Sequence, residues 1–326
     1  MKRHMFATAV LTVSLGLGTV VSGPQAVAAP ATAPCQYVAA DLPLPAGAYS
    51  ATLVAGTADS RLLLGELSGW TVSGVIWQDG TILRSMPGVP DSRVYPTGIN
   101  NDAVVVGHVQ KNNTNVHAAF RLTGENTYTY LTTPAGHGSW ARAVNDAGDI
   151  AGEIYSPSGG FPTPVVWEAG KPGYTTIPGQ SLAIAISPDR KVLTREGLVY
   201  DLNTGTSLQL PLGSSYSMLD GNRIFGAGYS NGYEITEWTA LGQQVGVYAG
   251  GRTPKGVNKQ NTVFAGFGQE IDPVAGLWTN GGWAAVQADK LPQVSWEYAD
   301  ITDDGVLLGN YRTSSGLHAA SWVCAP

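Results

Sequence analysis

Apolar and polar positions along the chain repeat in a short pattern. Each repeat has an Asn- or Asp-rich turn, an apolar strand ending in Gly, a variable loop, and a second apolar strand ending in an aromatic residue. Residues 98–107 (GINNDAVVVG) and 143–152 (AVNDAGDIAG) show the turn and the first strand. No stretch keeps a 3.6-residue apolar period, so the pattern predicts an all-β chain.

The repeat occurs seven times. The anchors that end the first strand are spaced by 42, 45, 42, 32, 40 and 43 residues: Gly65, Gly107, Gly152, Thr194, Gly226, Gly266 and Gly309. The aromatic anchors follow in step: Trp77, Phe120, Trp167, Tyr200, Trp238, Trp278 and Trp322. Units of about forty residues with room for four short strands predict a seven-bladed β-propeller as one domain over residues 35–326. The fourth blade should have almost no variable loop, and the rim should be notched there, because only residues 195–197 separate its middle strands.

The two ends of the domain are expected to close the ring. The last repeat stops at Trp322-Val323-Cys324 without an outer strand, whereas residues 35–43 resemble outer strands such as 128–134. In other repeats a hairpin turn follows the aromatic anchor by about two residues. Cys324 takes that turn position and Cys35 begins the incoming strand. We therefore predict an N-terminal strand in the last blade and a Cys35–Cys324 disulfide.

The pattern of residues 1–28 predicts a signal peptide that directs export. Lys2 and Arg3 precede an apolar run over residues 6–21, and Ala26-Val27-Ala28 is a small-x-small cleavage site. A linker over 29–34 would follow. The mature chain keeps 16 Lys and Arg against 24 Asp and Glu, a net charge of −8. We expect a secreted, extracellular protein that binds neither nucleic acid nor membrane, because both need a basic face.

The histidines do not predict a metal site. The mature chain has four: His108, His117, His137 and His318. None has the H-x-H or H-E-x-x-H spacing that brings two imidazoles to one metal. His117 and His318 fall at corresponding places in their repeats, so packing explains them. We expect no metal and no cofactor.

No catalytic group stands out either. Residues 228–232 match G-x-S-x-G, but in a loop between antiparallel strands and with no partner histidine. Residues 145–149 carry Asn and Asp oxygens without the EF-hand spacing. Loop carboxylates leave an enzyme open, since a propeller brings distant loops together; they are Glu153, Glu234, Glu270 and Asp272.

Aromatic residues concentrate on one predicted face. In a propeller, the loops that lead into inner strands share a face with the loops between second and third strands. The first class of loop contains Tyr95, Trp140, Tyr216, Trp296 and Tyr298. The second class includes Trp70, Tyr155, Phe161 and Tyr311. Two interpretations stay open: a binding surface, or rings that plug the channel.

The repeat resembles the bacterial extracellular HAF-repeat proteins, named for a His-Ala-Phe run. His117-Ala118-Ala119-Phe120 and His318-Ala319-Ala320-Ser321-Trp322 carry the resemblance, which extends over residues 49–324. Among secreted actinobacterial propellers, the chain is most similar to the dispase autolysis-inducing proteins. That resemblance implies a non-enzymatic partner of a thermolysin-like metalloprotease and a transglutaminase substrate. The alternative is a carbohydrate partner, with the aromatic rim serving a lectin, a polysaccharide lyase or a glycoside hydrolase.

Overall fold

The computed structural model describes residues 35–325 except 58, 69–71, 125, 180, 212–214, 220–222, 229–232, 269–272, 280 and 295–297. Residues 35–326 form one compact unit. The expected signal peptide and linker, residues 1–34, lie outside the described residues, as do Trp70 and Trp296.

The described residues form 29 strands, most of them arranged in four-stranded antiparallel sheets. The first of these strands, β1, is Gln36–Asp41. Blade 1 consists of β2–β5: Ser50–Gly56, Leu62–Ser68, Val72–Gln78 and Thr81–Pro87. Blade 2 consists of β6–β9: Ser92–Ile99, Val105–Lys111, His117–Leu122 and Tyr128–Tyr130. Blade 3 consists of β10–β13: Gly138–Val144, Ile150–Tyr155, Thr163–Trp167 and Thr175–Thr176.

The remaining blades continue in chain order. Blade 4 consists of β14–β17: Ala183–Ile186, Lys191–Thr194, Leu198–Asp201 and Thr206–Gln209. Blade 5 consists of β18–β21: Ser215–Leu219, Arg223–Gly228, Glu234–Thr239 and Gln244–Ala249. Blade 6 consists of β22–β25: Gly251–Val257, Val263–Phe267, Val274–Thr279 and Gly282–Ala285. Blade 7 contains β26–β29: Gln287–Ala288, Asp300–Ile301, Leu307–Thr313 and Gly316–Ala325. Blade 4 has four residues in each strand, and only residues 195–197 join β15 to β16, so its variable loop is nearly absent, as predicted.

A separate hydrophobic cluster fills each joint between neighbouring blades, and seven such clusters complete the ring. Between blades 7 and 1, for example, Leu53 and Trp77 pack with Leu308 and Ala319. Trp77 and Trp322 are fully buried. Burial of such rings stabilises each joint by a few kcal/mol, about 25 cal/mol per Å² of apolar surface. The seven-bladed propeller is thus confirmed.

Blade 7 joins the two ends of the domain. Strand β1 pairs antiparallel with β29, with Tyr37 opposite Cys324. The predicted disulfide between Cys35 and Cys324 is present. It joins residues 289 positions apart in the sequence, and their Cα atoms are 5.7 Å apart. The sequence did not predict β26, which pairs in parallel with the outer side of β1 through Gln287 and Ala288. Blade 7 therefore has five strands.

The Asn-rich turns link consecutive blades. The Asn100 Oδ1 accepts the backbone N–H groups of Asp102 and Val104, which closes the turn. Its Nδ2 donates to the Asn145 carbonyl of the next blade at 3.0 Å, and the Asn145 Nδ2 donates to the Ser187 carbonyl of the blade after that. These oxygens and amides therefore serve the fold, as Asx turns do.

The strand register corrects two expected equivalences between repeats. Phe120 pairs with Gly107 itself, whereas Trp322 pairs with Leu307, two residues before Gly309. His117 pairs with Gln110, three residues after its glycine, whereas His318 pairs with Tyr311, only two after. An offset of one residue turns a side chain to the other face of a sheet. His117 therefore faces blade 3, and His318 stacks on Tyr311 instead.

Candidate functional site

Five aromatic and imidazole rings meet between blades 2 and 3, on the front face, where the chain enters the inner strands. Blade 2 contributes Tyr95, His108 and His117, and blade 3 contributes Trp140 and Tyr155. We name this group the blade 2–3 aromatic cluster. Cross-strand pairing places Tyr95 directly opposite His108, which explains how residues distant in sequence come together.

The rings of the blade 2–3 aromatic cluster are in mutual contact. His108 lies between Tyr95 and Trp140, stacked on both, with ring centroids 4.9 and 5.3 Å away. His117 meets the edge or face of His108 at 4.8 Å and of Trp140 at 5.1 Å. The Tyr155 hydroxyl accepts from the His117 backbone N–H at 3.0 Å and donates to the Asn115 carbonyl at 3.1 Å. Ring contacts and hydrogen bonds hold each of these side chains in place, and all the rings except His108 keep an exposed part.

The two imidazoles of the cluster lack hydrogen bonds at their Nδ1 atoms. The Nδ1 atoms of His108 and His117 are buried and have no partner among the described residues. Burial, followed by the neighbouring His117 and Arg142, lowers the pKa of His108 to about 3. Burial and Arg142 also lower the pKa of His117. Both rings are therefore neutral at physiological pH.

Arginine side chains cover the cluster. The Arg142 guanidinium lies 4.5 Å from the Trp140 ring centroid, and that of Arg93 lies 4.6 Å from the Tyr95 ring centroid. Arg142 is held by buried Glu153 through bonds of 2.6 and 2.9 Å to Oε1. Burial raises the pKa of Glu153, while the hydrogen bonds from Arg142 oppose that rise. Cations over aromatic faces at this distance are mutually stabilising.

Arg142 also lines a cavity in the central channel. The cavity has a volume of about 330 Å³ and lies between the C-terminal ends of the inner strands of several blades. Its wall includes Thr97, Arg142, Lys255, Tyr298 and Asp300. The Tyr298 hydroxyl donates to the Asp300 carboxylate at 3.0 Å. Arg142 therefore connects the channel to the blade 2–3 aromatic cluster.

The eight rim residues singled out from the sequence do not form one surface. Tyr95, Trp140 and Tyr155 come together in the cluster. Tyr216 and Tyr311 are buried, packed on Trp238 and Trp322 respectively, and Tyr298 lines the channel. The remaining two, Trp70 and Trp296, lie outside the described residues.

Two front-face aromatics are more exposed than any ring of the cluster. Phe161, in the loop between β11 and β12, is 76% exposed, and Tyr49, just before β2, is 67% exposed. The sequence analysis included Phe161 but missed Tyr49 and His108. The position of Tyr49 before an inner strand was the signal that could have found it. For His108, only the pairing of β6 with β7 reveals the role.

The described residues give no other clear chemistry. No group of three or more His, Cys, Asp or Glu side chains among them is placed to hold a metal ion. The Asp149 carboxylate in the third turn accepts from the Arg190 Nε at 2.8 Å and from the Ala169 N–H at 2.9 Å. Glu153 pairs with Arg142, whereas Glu270, Asp272 and most of the G-x-S-x-G run, residues 229–232, lie outside the described part. No described helix is long and apolar enough to cross a membrane.

Comparison with known proteins supports the fold. No family model and no curated protein sequence matches the chain. An oligogalacturonate lyase in complex with manganese superposes with a TM-score of 0.60 at 11% identity, over 90% of this chain and 97% of the lyase. The oligogalacturonate lyase of Vibrio parahaemolyticus gives 0.61 at 11% identity, over 88% and 93%.

A weaker match is TolB from Acinetobacter baumannii, with a TM-score of 0.41 at 16% identity. It spans 60% of this chain and about half of TolB, 52%. At such identities the likeness of the lyases concerns the propeller fold alone. The resemblance to HAF-repeat proteins stays a prediction from the sequence motifs.

Proposed function

We propose that this chain is an exported, non-catalytic protein that binds an extracellular protein through the blade 2–3 aromatic cluster and the neighbouring Phe161 loop. The observation that carries this proposal is the composition of the surface. Tyr95, Trp140 and Tyr155 keep part of their rings exposed, and Arg93 and Arg142 lie over two of those rings. Tyr, Trp and Arg are the residue types that dominate binding energy at protein interfaces.

Rigidity of the surface also supports a binding role. The Tyr155 hydroxyl is fixed by two backbone groups, and Arg142 is fixed by Glu153. Rings that are already ordered lose little conformational freedom when a partner binds. Phe161, 76% exposed in the loop that follows Tyr155, offers a large apolar side chain that a partner's pocket can bury.

For the partner, we propose a secreted thermolysin-like metalloprotease whose autolysis this chain promotes. The support is the resemblance of His117–Phe120 and His318–Trp322 to the HAF-repeat proteins. Extracellular localisation rests on the signal-peptide pattern of residues 1–28.

The test mixes the mature protein with a thermolysin-like metalloprotease and follows residual proteolytic activity and protease integrity over time. Wild type should accelerate the loss of protease while remaining intact itself. Phe161→Ala and Trp140→Ala should abolish most of this effect. Leu241→Ala is the matched control, because Leu241 is 79% exposed on blade 5, away from the cluster. Protease decay no faster than with an inert protein would exclude the protease as partner.

A further part of the proposal is that exposed glutamines are substrates of a transglutaminase. Gln36, Gln243 and Gln244 are exposed at strand ends or turns, whereas Gln293 is partly buried. Labelling with a fluorescent primary amine in the presence of transglutaminase, followed by peptide mapping, should place label on the exposed glutamines and not on Gln293. Absence of label from all three would contradict this part alone.

A further inference from the structure

A second pocket lies between blades 5 and 6, apart from the blade 2–3 aromatic cluster. Its volume is about 480 Å³, and its wall consists of Tyr248, Gln260, Asn261, Thr262, Trp278 and Thr279. Two aromatic rings and four residues with amide or hydroxyl side chains thus surround it, and no charged side chain among the residues that the structure describes lines it. Pockets that bind small molecules have volumes in this range, about 300–1,000 Å³.

The aromatic part of the pocket is held in place by packing. Tyr248 and Trp278 meet edge to face, with centroids 5.5 Å apart and an interplanar angle of 88°. Trp283 supports Trp278 from another side at 5.3 Å, and its Nε1 donates to the Ala249 carbonyl at 2.8 Å. Tyr248 and Trp278 are only partly buried, so part of each ring is accessible from the pocket.

The polar part of the pocket is positioned by an ion pair behind it. The Glu237 carboxylate is buried and binds the Arg223 Nε at 2.6 Å and the Tyr248 hydroxyl at 2.5 Å. The Arg223 Nη1 in turn donates to the Asn261 Oδ1 at 3.1 Å. This bond directs the Asn261 amide so that its NH₂ group remains to donate elsewhere. Burial, then the bond to Glu237, raises the pKa of Tyr248, which keeps its hydroxyl protonated.

We propose that this pocket binds a neutral saccharide unit. The C–H face of a sugar ring is apolar and covers an aromatic ring, while its equatorial hydroxyls need donors and acceptors at the edge. Trp278 and Tyr248 provide the aromatic surface. The hydrogen-bond donors and acceptors are the side chains of Gln260, Asn261, Thr262 and Thr279. The lining favours a neutral over an acidic sugar, because Arg223 already pairs with Glu237.

Two of the residues that line the pocket are themselves held by hydrogen bonds to residues behind them. Tyr248 and Asn261 would touch the ligand, and Glu237 and Arg223 hold those two side chains without lining the pocket themselves. Supporting shells of this kind reduce the freedom that a ligand must otherwise remove.

The experiment uses the full mature protein and a panel of pentasaccharides of β-1,4-linked glucose, xylose, mannose and N-acetylglucosamine, with pentagalacturonate as the acidic comparator. Binding is followed by calorimetry and by tryptophan fluorescence. At least one neutral pentasaccharide should bind more tightly than pentagalacturonate. Trp278→Leu should weaken that binding by about tenfold or more, since it removes the stacking surface.

A second variant keeps the test decisive if Trp278→Leu unfolds. Asn261 has φ of 60°, where glycine is unstrained, so Asn261→Gly removes the amide without disturbing the turn. It should weaken binding about fivefold, while Leu241→Ala leaves binding unchanged. The proposal is overturned if no neutral pentasaccharide binds, if pentagalacturonate binds best, or if Asn261→Gly binds like wild type. Trp140→Ala should retain saccharide binding, which separates this pocket from the proposed protein surface.

Discussion

The second strands of blades 2 and 7 each place a polar side chain directly after the anchor glycine. The two side chains differ in whether their polar atoms form hydrogen bonds. His108 follows Gly107 and pairs with Ala119, and Asn310 follows Gly309 and pairs with Ala319. Asn310 is fully buried, accepts from the Leu53 N–H at 2.7 Å and donates to the Leu53 carbonyl at 2.9 Å. His108 is 8% exposed, and its Nδ1 has no partner among the described residues.

This contrast separates a side chain that serves the fold from one that the fold does not explain. Asn310 joins blade 7 to blade 1 across the closure of the ring, and each of its polar groups is used. His108 brings a buried polar atom to the joint between blades 2 and 3 without a compensating bond, which costs about 1–3 kcal/mol. His108 stacks on Tyr95 and Trp140, two of the rings that we proposed above as a binding surface.

The largest expected effect concerns the closure. Replacing Cys35 and Cys324 by Ser removes the constraint on a loop of 289 residues, worth roughly 5–6 kcal/mol at most in the chain-entropy treatment. Urea unfolding should show this loss in the free energy of unfolding. Partner binding by the folded fraction should be unchanged, because the disulfide lies in blade 7. Unchanged stability would mean that β26 and β1 hold the closure without the disulfide.

Asn310→Ala should be the most damaging single substitution at the compared positions. It leaves the backbone N–H and carbonyl of Leu53 buried and unpaired, so we expect a loss of about 3 kcal/mol in the free energy of unfolding. Chemical denaturation measures it directly. A loss below about 1 kcal/mol would show that water replaces the side chain, and the contrast with His108 would weaken.

Acid should destabilise the protein partly through His108. Its pKa is about 3 in the folded chain and about 6.5 unfolded, so the unfolded chain binds more protons between these values. The contribution to stability is complete above pH 6.5 and is lost as the pH falls toward 3. Between pH 7 and pH 4, wild type should lose up to about 3 kcal/mol more than His108→Phe. Parallel pH profiles for the two proteins would refute this assignment.

The smallest effect on stability is expected for His108→Phe at neutral pH. Phenylalanine keeps the stacking on Tyr95 and Trp140 and removes the unpaired nitrogen, so stability should stay equal or rise by about 1 kcal/mol. Thermal unfolding of His108→Phe beside Asn310→Ala checks the sign of both. A fall in stability comparable to that of Asn310→Ala would show that His108 has a structural partner after all.

The sequence predicted the fold because the fold depends on periodic features. The glycine and tryptophan anchors recur about every forty residues, and the cysteines occupy the one place where a hairpin turn is missing. The blade 2–3 aromatic cluster depends instead on register. His117 and His318 look equivalent in the sequence, yet they face opposite sides of their sheets. Nor does any pattern in Gln287-Ala288 indicate a fifth strand in blade 7.

The most direct test of the central claim is the affinity of the mature protein for a catalytically inactive thermolysin-like metalloprotease, measured by surface plasmon resonance. Wild type, Phe161→Ala, His108→Phe and Leu241→Ala are compared, and circular dichroism verifies that each is folded. If the blade 2–3 aromatic cluster and its Phe161 loop form the binding surface, Phe161→Ala should weaken binding by about tenfold or more, and Leu241→Ala should bind like wild type. His108→Phe should fall between them. Binding that is weakened by Leu241→Ala but not by Phe161→Ala would contradict the account.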